Sequence, residues 1–120
     1  MNNLRVKLGK WGEEQAEIFL VSKGVKILAK NIRTEYGEID LLGDEEGCLL
    51  FIEVKTLKTK EFGYPEVSVT NKKIAHMQKS ALRFLQKHEE VDSDWRIDVI
   101  AVEVKDNTQP EIKWFKNVLT

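Results

Sequence analysis

The chain is poor in the residues that advertise a function. It has one cysteine in 120 residues, two prolines and no excess of either charge. A single thiol, Cys48, cannot close an internal disulfide. At the head of an apolar segment it reads as a small core residue, and a reducing, cytoplasmic setting is the expectation. Lys and Arg number 19 against 20 Asp and Glu, a formal net charge of −1. That balance excludes a global positive field, so any contact with nucleic acid has to come from a local basic patch. No apolar run approaches the roughly 20 residues of a membrane span, and no charged-then-apolar signal segment is present. Repeats, low-complexity tracts and linkers are absent too. What these exclusions leave is one domain, 1–120, of ordinary globular composition with a modest core.

Hydrophobic spacing supplies the elements. Leu8 to Lys23 predicts a helix, with Gly9, Gly12, Ala16 and Leu20 near one face, Phe19 beside them and Gly24 as its stop. The small residues would let it sit close to a sheet. Val25–Thr34, Glu38–Gly43 and Cys48–Leu57 read as three strands, the last the strongest, with the turn Asp44–Gly47 before it. Thr59–Val69, holding Gly63 and Pro65, reads as an irregular loop. Thr70 caps a second helix to about His88, striped by Ile74, Met77, Ala81, Phe84 and Leu85. Trp95–Val104 and Glu111–Phe115 follow as strands, joined by a turn with Asn107 and Pro110. The order α-β-β-β-α-β-β implies an α/β fold, a mixed sheet flanked by helices. Trp11, Trp95 and Trp114 lie in structured segments and read as packing residues.

Three Glu-x-Lys triplets stand out: Glu53-Val54-Lys55, Glu103-Val104-Lys105 and Glu111-Ile112-Lys113. Composition alone yields about 1.7 such triplets, so the tripeptide itself carries no signal. Context separates them. Asp98 lies an odd five residues before Glu103, hence on the opposite face of its strand, and Glu111 has no acid upstream in its strand. Both late pairs read as solvent-facing alternation. The first differs. If Asp44 and Gly47 close the turn, Asp40 lies opposite Phe51 and Glu38 opposite Glu53. Glu38, Asp40, Glu53 and Lys55 then project from one side, and Asp40 and Glu53 become diagonal neighbours. A one-residue slip would undo this. Three carboxylates on one patch repel unless something positive lies among them. With no His or Cys nearby, an all-oxygen set suits a hard ion such as Mg²⁺ or Mn²⁺. A solvated polar face with a Glu53–Lys55 ion pair is the alternative.

Gly12-Glu13 with Ala16, then "NIRTEYGEIDLL", "LLFIEVKT", "SVTNKK" and "WRIDVIAV", resemble the YraN-type family of uncharacterised bacterial proteins, from about Gly9 to Phe115. That family is similar to the restriction-endonuclease-like (PD-(D/E)XK) nuclease superfamily and most closely to Holliday-junction resolvases. The resemblance implies a restriction-endonuclease-like sheet and a metal-dependent hydrolysis of DNA phosphodiester bonds, with structure selectivity. A nucleic-acid-binding protein of that fold with weak or no catalysis is the second reading. Asp40, Glu53, Lys55 and Glu13 would be the catalytic set. The metal would rest on Asp40, Glu53 and the Val54 carbonyl, with Glu13 acting indirectly. Glu13 leans to the buried side of its helix, where a carboxylate needs a partner. Lys72, Lys73, Lys58 and Lys60 would contact nucleic acid, and Glu38 and Gln78 would support the site. Resolvase-type relatives are dimers, so a homodimer is a further expected partner. Two features depart from the pattern: Ile39 stands where the superfamily has proline, and Leu57 stands where a basic residue is common.

Overall fold

The chain folds by punctuating short apolar segments with glycine. The structure, a computed structural model, describes residues 3–58, 71–105 and 109–119. Its elements are α1 (Asn3–Ser22), β1 (Lys26–Thr34), β2 (Gly37–Glu45), β3 (Cys48–Lys58), α2 (Asn71–Lys87), β4 (Trp95–Val104) and β5 (Glu111–Phe115). The order matches the one read from the sequence. The differences lie at the ends: α1 starts five residues earlier, and β2 runs two residues into the predicted turn. Thr70, the predicted cap, and the predicted loop to Val69 lie outside the described residues.

Gly24 ends α1 as expected. It sits at φ 92°, with Val25 N–H donating to Leu20 O at 3.0 Å and Gly24 N–H to Val21 O at 3.1 Å. This double bond pattern satisfies the helix's last carbonyls, and the Leu20 and Val25 side chains share one core cluster.

The five strands form one sheet in the order β1-β2-β3-β4-β5, with β3 and β4 parallel and the other neighbours antiparallel. Helices cover both faces. α1 sets Ala16 and Leu20 on Leu41, Leu50, Ile52 and Ile100. α2 sets Met77 and Ala81 on Ile39, Leu42, Phe51 and Ile97. Trp11, Trp95 and Trp114 pack at the edges of these clusters, as predicted. Cys48 is half-buried beside the first, where burial pushes its thiol pKa up. No helix among the described residues is long and apolar enough to cross a membrane.

Two sequence expectations change. Glu103 is buried, only 3% exposed, and bonds to Lys113 of β5 at 3.2 Å. Solvent-facing alternation fails there because β4 lies inside the sheet with both faces covered. Glu111 does remain exposed, paired with Lys105. The β2–β3 register also differs by two. Leu41 pairs with Ile52 and Glu45 with Cys48, so the turn is the pair Glu46–Gly47, at φ 51° and 89°. Two left-handed residues make the tight turn whose twist suits a two-residue hairpin. A shift of two residues preserves which side each residue faces.

Candidate metal and phosphate site

The site lies where β2 and β3 part. Their registered pairs end at Leu41↔Ile52. Carried one step further, the register puts Asp40 level with Glu53. Beyond that end, Val54 N–H finds its acceptor in a side chain, donating to Asp40 Oδ2 at 2.8 Å. Face alternation is interrupted at the same level. Ile39 and Leu42, three residues apart, both pack into the α2-side cluster. Opposite, between the pairs Lys30↔Leu41 and Ile32↔Ile39, Asn31 takes φ 51°. A left-handed residue redirects the chain, and asparagine tolerates that conformation better than most.

α1 completes the group because it comes unusually near β3. A Cβ on Gly12 would overlap Thr56 Oγ1, so only glycine permits this approach. Gly9, by contrast, has open space where a Cβ would go, so of the two glycines on that face only Gly12 sets the approach. The next residue, Glu13, thereby reaches the end of β2. Oxygens of Glu13, Glu38 and Asp40 lie within 4.8 Å of one another. Asn31 Nδ2 bridges two of them, donating to Glu13 Oε1 at 2.9 Å and Glu38 Oε1 at 3.1 Å.

The electrostatics are strained in a consistent direction. Burial, then the charges of Glu13, Glu53 and Glu38, push Asp40 up to about 7, against the opposing bond from Val54. Burial and the neighbouring Lys73 ammonium hold Lys55 below the ordinary lysine value, against Glu53 and Asp40, which raise it. Glu53 Oε2 is buried and has no hydrogen-bond partner. Around Glu53 is a cavity of about 180 Å³ whose lining includes Glu38, Lys73, His76 and Ser80.

Of the residues predicted as metal ligands, Asp40 and Glu13 meet directly. Glu38, expected as support, joins them. Glu53 is close enough to act on Asp40 and Lys55 electrostatically but stands outside the three-carboxylate group. Val54 meets Asp40 through its N–H, whereas the sequence reading uses its carbonyl. Lys55 and Lys73 come together beside Glu53. Lys72 is exposed on α2 and Lys58 is exposed at the end of β3, while Lys60 lies outside the described residues. Gln78 is a correction. It is exposed and does not line the cavity, because one residue past Met77 turns it about 100° from the buried line. Asn31 and His76 were not anticipated. Asparagine's tolerance of left-handed backbone was the one available signal for the first, and an i+3 step from Lys73 the one for the second.

A family model described as the uncharacterised protein family UPF0102 matches residues 12–102, a segment that holds every residue of the acidic group. Similar chains include the UPF0102 protein of Syntrophomonas wolfei, 40% identical over 83% of this chain and 87% of its own length. That of Trichlorobacter lovleyi is 37% identical over 92% and 87%. That of Dichelobacter nodosus is 35% identical over 99% and 96%.

Proposed function

The chain belongs to the UPF0102 family of uncharacterised proteins, and from that premise we propose that it is a metal-dependent hydrolase of phosphodiester bonds in nucleic acid, acting on DNA. The observation that carries this reading is the meeting of Glu13, Glu38 and Asp40 within 4.8 Å, beside two adjacent lysines.

The donor set fits a hard divalent cation. It is all carboxylate oxygen; the Asn31 amide between Glu13 and Glu38 offsets no charge, and the exposed Arg33 guanidinium reaches only Glu38 Oε2, at 3.7 Å. The raised pKa of Asp40 and the orphaned Glu53 Oε2 are what a carboxylate group short of positive charge produces. Asp40, Glu13 and Glu38 would hold Mg²⁺ or Mn²⁺, with Glu53 facing it from β3. Such an ion, when bound, polarises a phosphoryl oxygen and lowers the pKa of an attacking water.

The chain's own residues supply the rest. Lys55 and Lys73 repel each other across a small gap, and a phosphate between them relieves that repulsion. Lys55 then stabilises negative charge on the phosphoryl oxygens as water's oxygen bonds to phosphorus and the ester bond breaks. The proton released by water passes to a neighbouring base, and the departing oxygen is protonated from solvent. Glu53, with an unsatisfied oxygen beside Asp40, is placed to orient water. Val54 fixes Asp40 through its N–H, and Asn31 fixes Glu13 and Glu38 relative to each other.

The test is cleavage of labelled linear, flapped and four-way DNA in Mg²⁺ or Mn²⁺, beside Asp40→Asn and Lys55→Ala. Each substitution is expected to lower the rate by about 100-fold or more. Mn²⁺ is also expected to raise the thermal midpoint of the natural protein and not that of Asp40→Asn. Binding of DNA with no metal-dependent cleavage would favour the second reading, a nucleic-acid-binding protein. Leu57 favours it, being half-buried where a basic residue would touch phosphate. Neither binding nor cleavage would overturn both.

A further inference from the structure

α2 is charged unlike the rest of the chain. It holds Lys72, Lys73, Lys79, Arg83 and Lys87 and no acid, so the other 103 residues hold 14 basic and 20 acidic side chains. Five cationic or titratable side chains, Lys72, His76, Lys79, Arg83 and Lys87, recur at steps of three and four. At about 100° per residue they fall within one stripe about 80° wide and about 22 Å long. The buried line of Met77, Ala81 and Phe84 leaves that stripe toward the β1–β2 turn. No acid among the described residues pairs with Lys72, Lys79 or Lys87. A solvated helix face has no reason to exclude acids, since interspersed signs stabilise a helix by side-chain pairing.

The stripe borders a second cavity, of about 270 Å³, lined by Tyr36, Lys79, Leu82, Arg83 and Gln86. Tyr36 also lines the cavity around Glu53, so the two hollows share this residue as a wall. Tyr36 is 44% exposed, and Lys79 Nζ lies 5.9 Å from its ring centroid. The turn that carries it is tied down. Thr34 Oγ1 donates to Gly37 O and accepts from Tyr36 N–H, which leaves the buried Ser80 hydroxyl of α2 to donate to Thr34, at 2.9 Å. Arg83 is held on the far wall by Glu35 at 2.7 Å and by Gln86.

We propose that the second cavity and the α2 stripe are a track for an unpaired nucleic-acid strand leaving the acidic site, with Tyr36 stacking one base at the shared wall and Lys79, Arg83 and Lys87 on the phosphates. An aromatic residue shared by two nucleotide-sized hollows, flanked by cations, is the combination that binds single strands without sequence preference. A base reaches such a ring only when it is out of a duplex stack. The proposal rests on the nuclease reading for its direction and is tested apart from it.

The test is the anisotropy of a fluorescein-labelled oligothymidylate, and of a duplex of equal length, with the full chain in EDTA, where no cleavage is measured. Tyr36→Leu and Lys79→Ala are each expected to weaken oligothymidylate binding about tenfold. Lys79→Ala should also lower the slope of log affinity against log salt by about 0.7. Tyr36→Phe and Lys79→Arg should bind like the natural protein, and Glu35→Gln should bind tighter by freeing Arg83. All three positions are exposed, and thermal midpoints will show whether each of the five variants is folded. Unchanged affinity in Tyr36→Leu and Lys79→Ala overturns the track while leaving metal-dependent cleavage to stand. Tighter binding of the duplex overturns the unpaired strand. Equal affinity for polyglutamate overturns nucleic acid in favour of an acidic protein partner. A track confirmed in a protein that never cleaves DNA would overturn the nuclease reading alone.

Discussion

Two aspartates in one sheet, Asp98 buried and Asp40 half-buried, have opposite surroundings. Asp98, with no exposed surface, receives hydrogen bonds from three donors: Arg96 Nε–H, shared between its two oxygens, Trp114 Nε1 at 2.8 Å and Asn117 N–H at 2.9 Å. Arg96 in turn reaches Glu45 at 2.8 Å. Asp40 receives one bond recorded among the described residues, from Val54, and three carboxylates press on it. The first acid is neutralised by the fold itself. It pins β5 and the segment after it to β4, and its energy is structural. The second is left with its charge unsettled, where β2 and β3 part. Such an arrangement costs stability, and a bound divalent cation would compensate it.

The comparison can be broken most severely at Asp98. Asp98→Asn is expected to destabilise the fold by about 3 kcal/mol in urea denaturation, because it leaves the half-buried Arg96 guanidinium without its main partner. Asp40→Asn should act in the reverse sense. The folded-state pKa of Asp40, about 7, lies above its ordinary 3.8. Its contribution to stability is therefore fully present below about pH 3.8 and is lost as pH rises through 7. An asparagine still accepts the Val54 N–H but carries no charge. In the absence of metal the variant should exceed the natural protein by about 2 kcal/mol at pH 8, and the gain should vanish near pH 4. A flat difference across that range would mean that Asp40 is not the group under stress. Smallest is Asn31→Gly, which keeps the left-handed backbone but removes the amide bridging Glu13 and Glu38. It should cost about 1 kcal/mol without metal, read as a lower thermal midpoint, and weaken the Mn²⁺ shift.

Much of this was legible beforehand, for reasons that differ by element. The late strands were read to the residue, because apolar alternation bounded by turn residues has few competing interpretations. The hairpin was read two residues out of register, because "DEEG" allows more than one turn, and only the left-handed pair Glu46–Gly47 selects the tight one. The functional grouping survived that error, since a side-chain period of two is blind to a shift of two. Glu103 was misread because a strand's sequence does not say whether it has neighbours on both edges and layers on both faces. Gln78 was misplaced for a simpler reason: i+4 from Ile74 is near the apolar stripe without being in it.

By itself the sequence determined the element order, the apolar stripes by which two helices pack on a sheet, and the short list of acids and lysines from which a site could be built. Those follow from local periodicity, which every residue carries with it. Tertiary structure alone decided which acids meet. Glu13 arrives because Gly12 lets α1 close on Thr56, and Glu38 joins because Asn31 breaks the alternation opposite Asp40. Glu53 is held to one side by its own strand, and Tyr36 is brought to α2 by the Thr34–Ser80 hydroxyl bond. These are contacts between segments distant in the chain, set by the depth and angle of packing, and no local pattern encodes a packing distance.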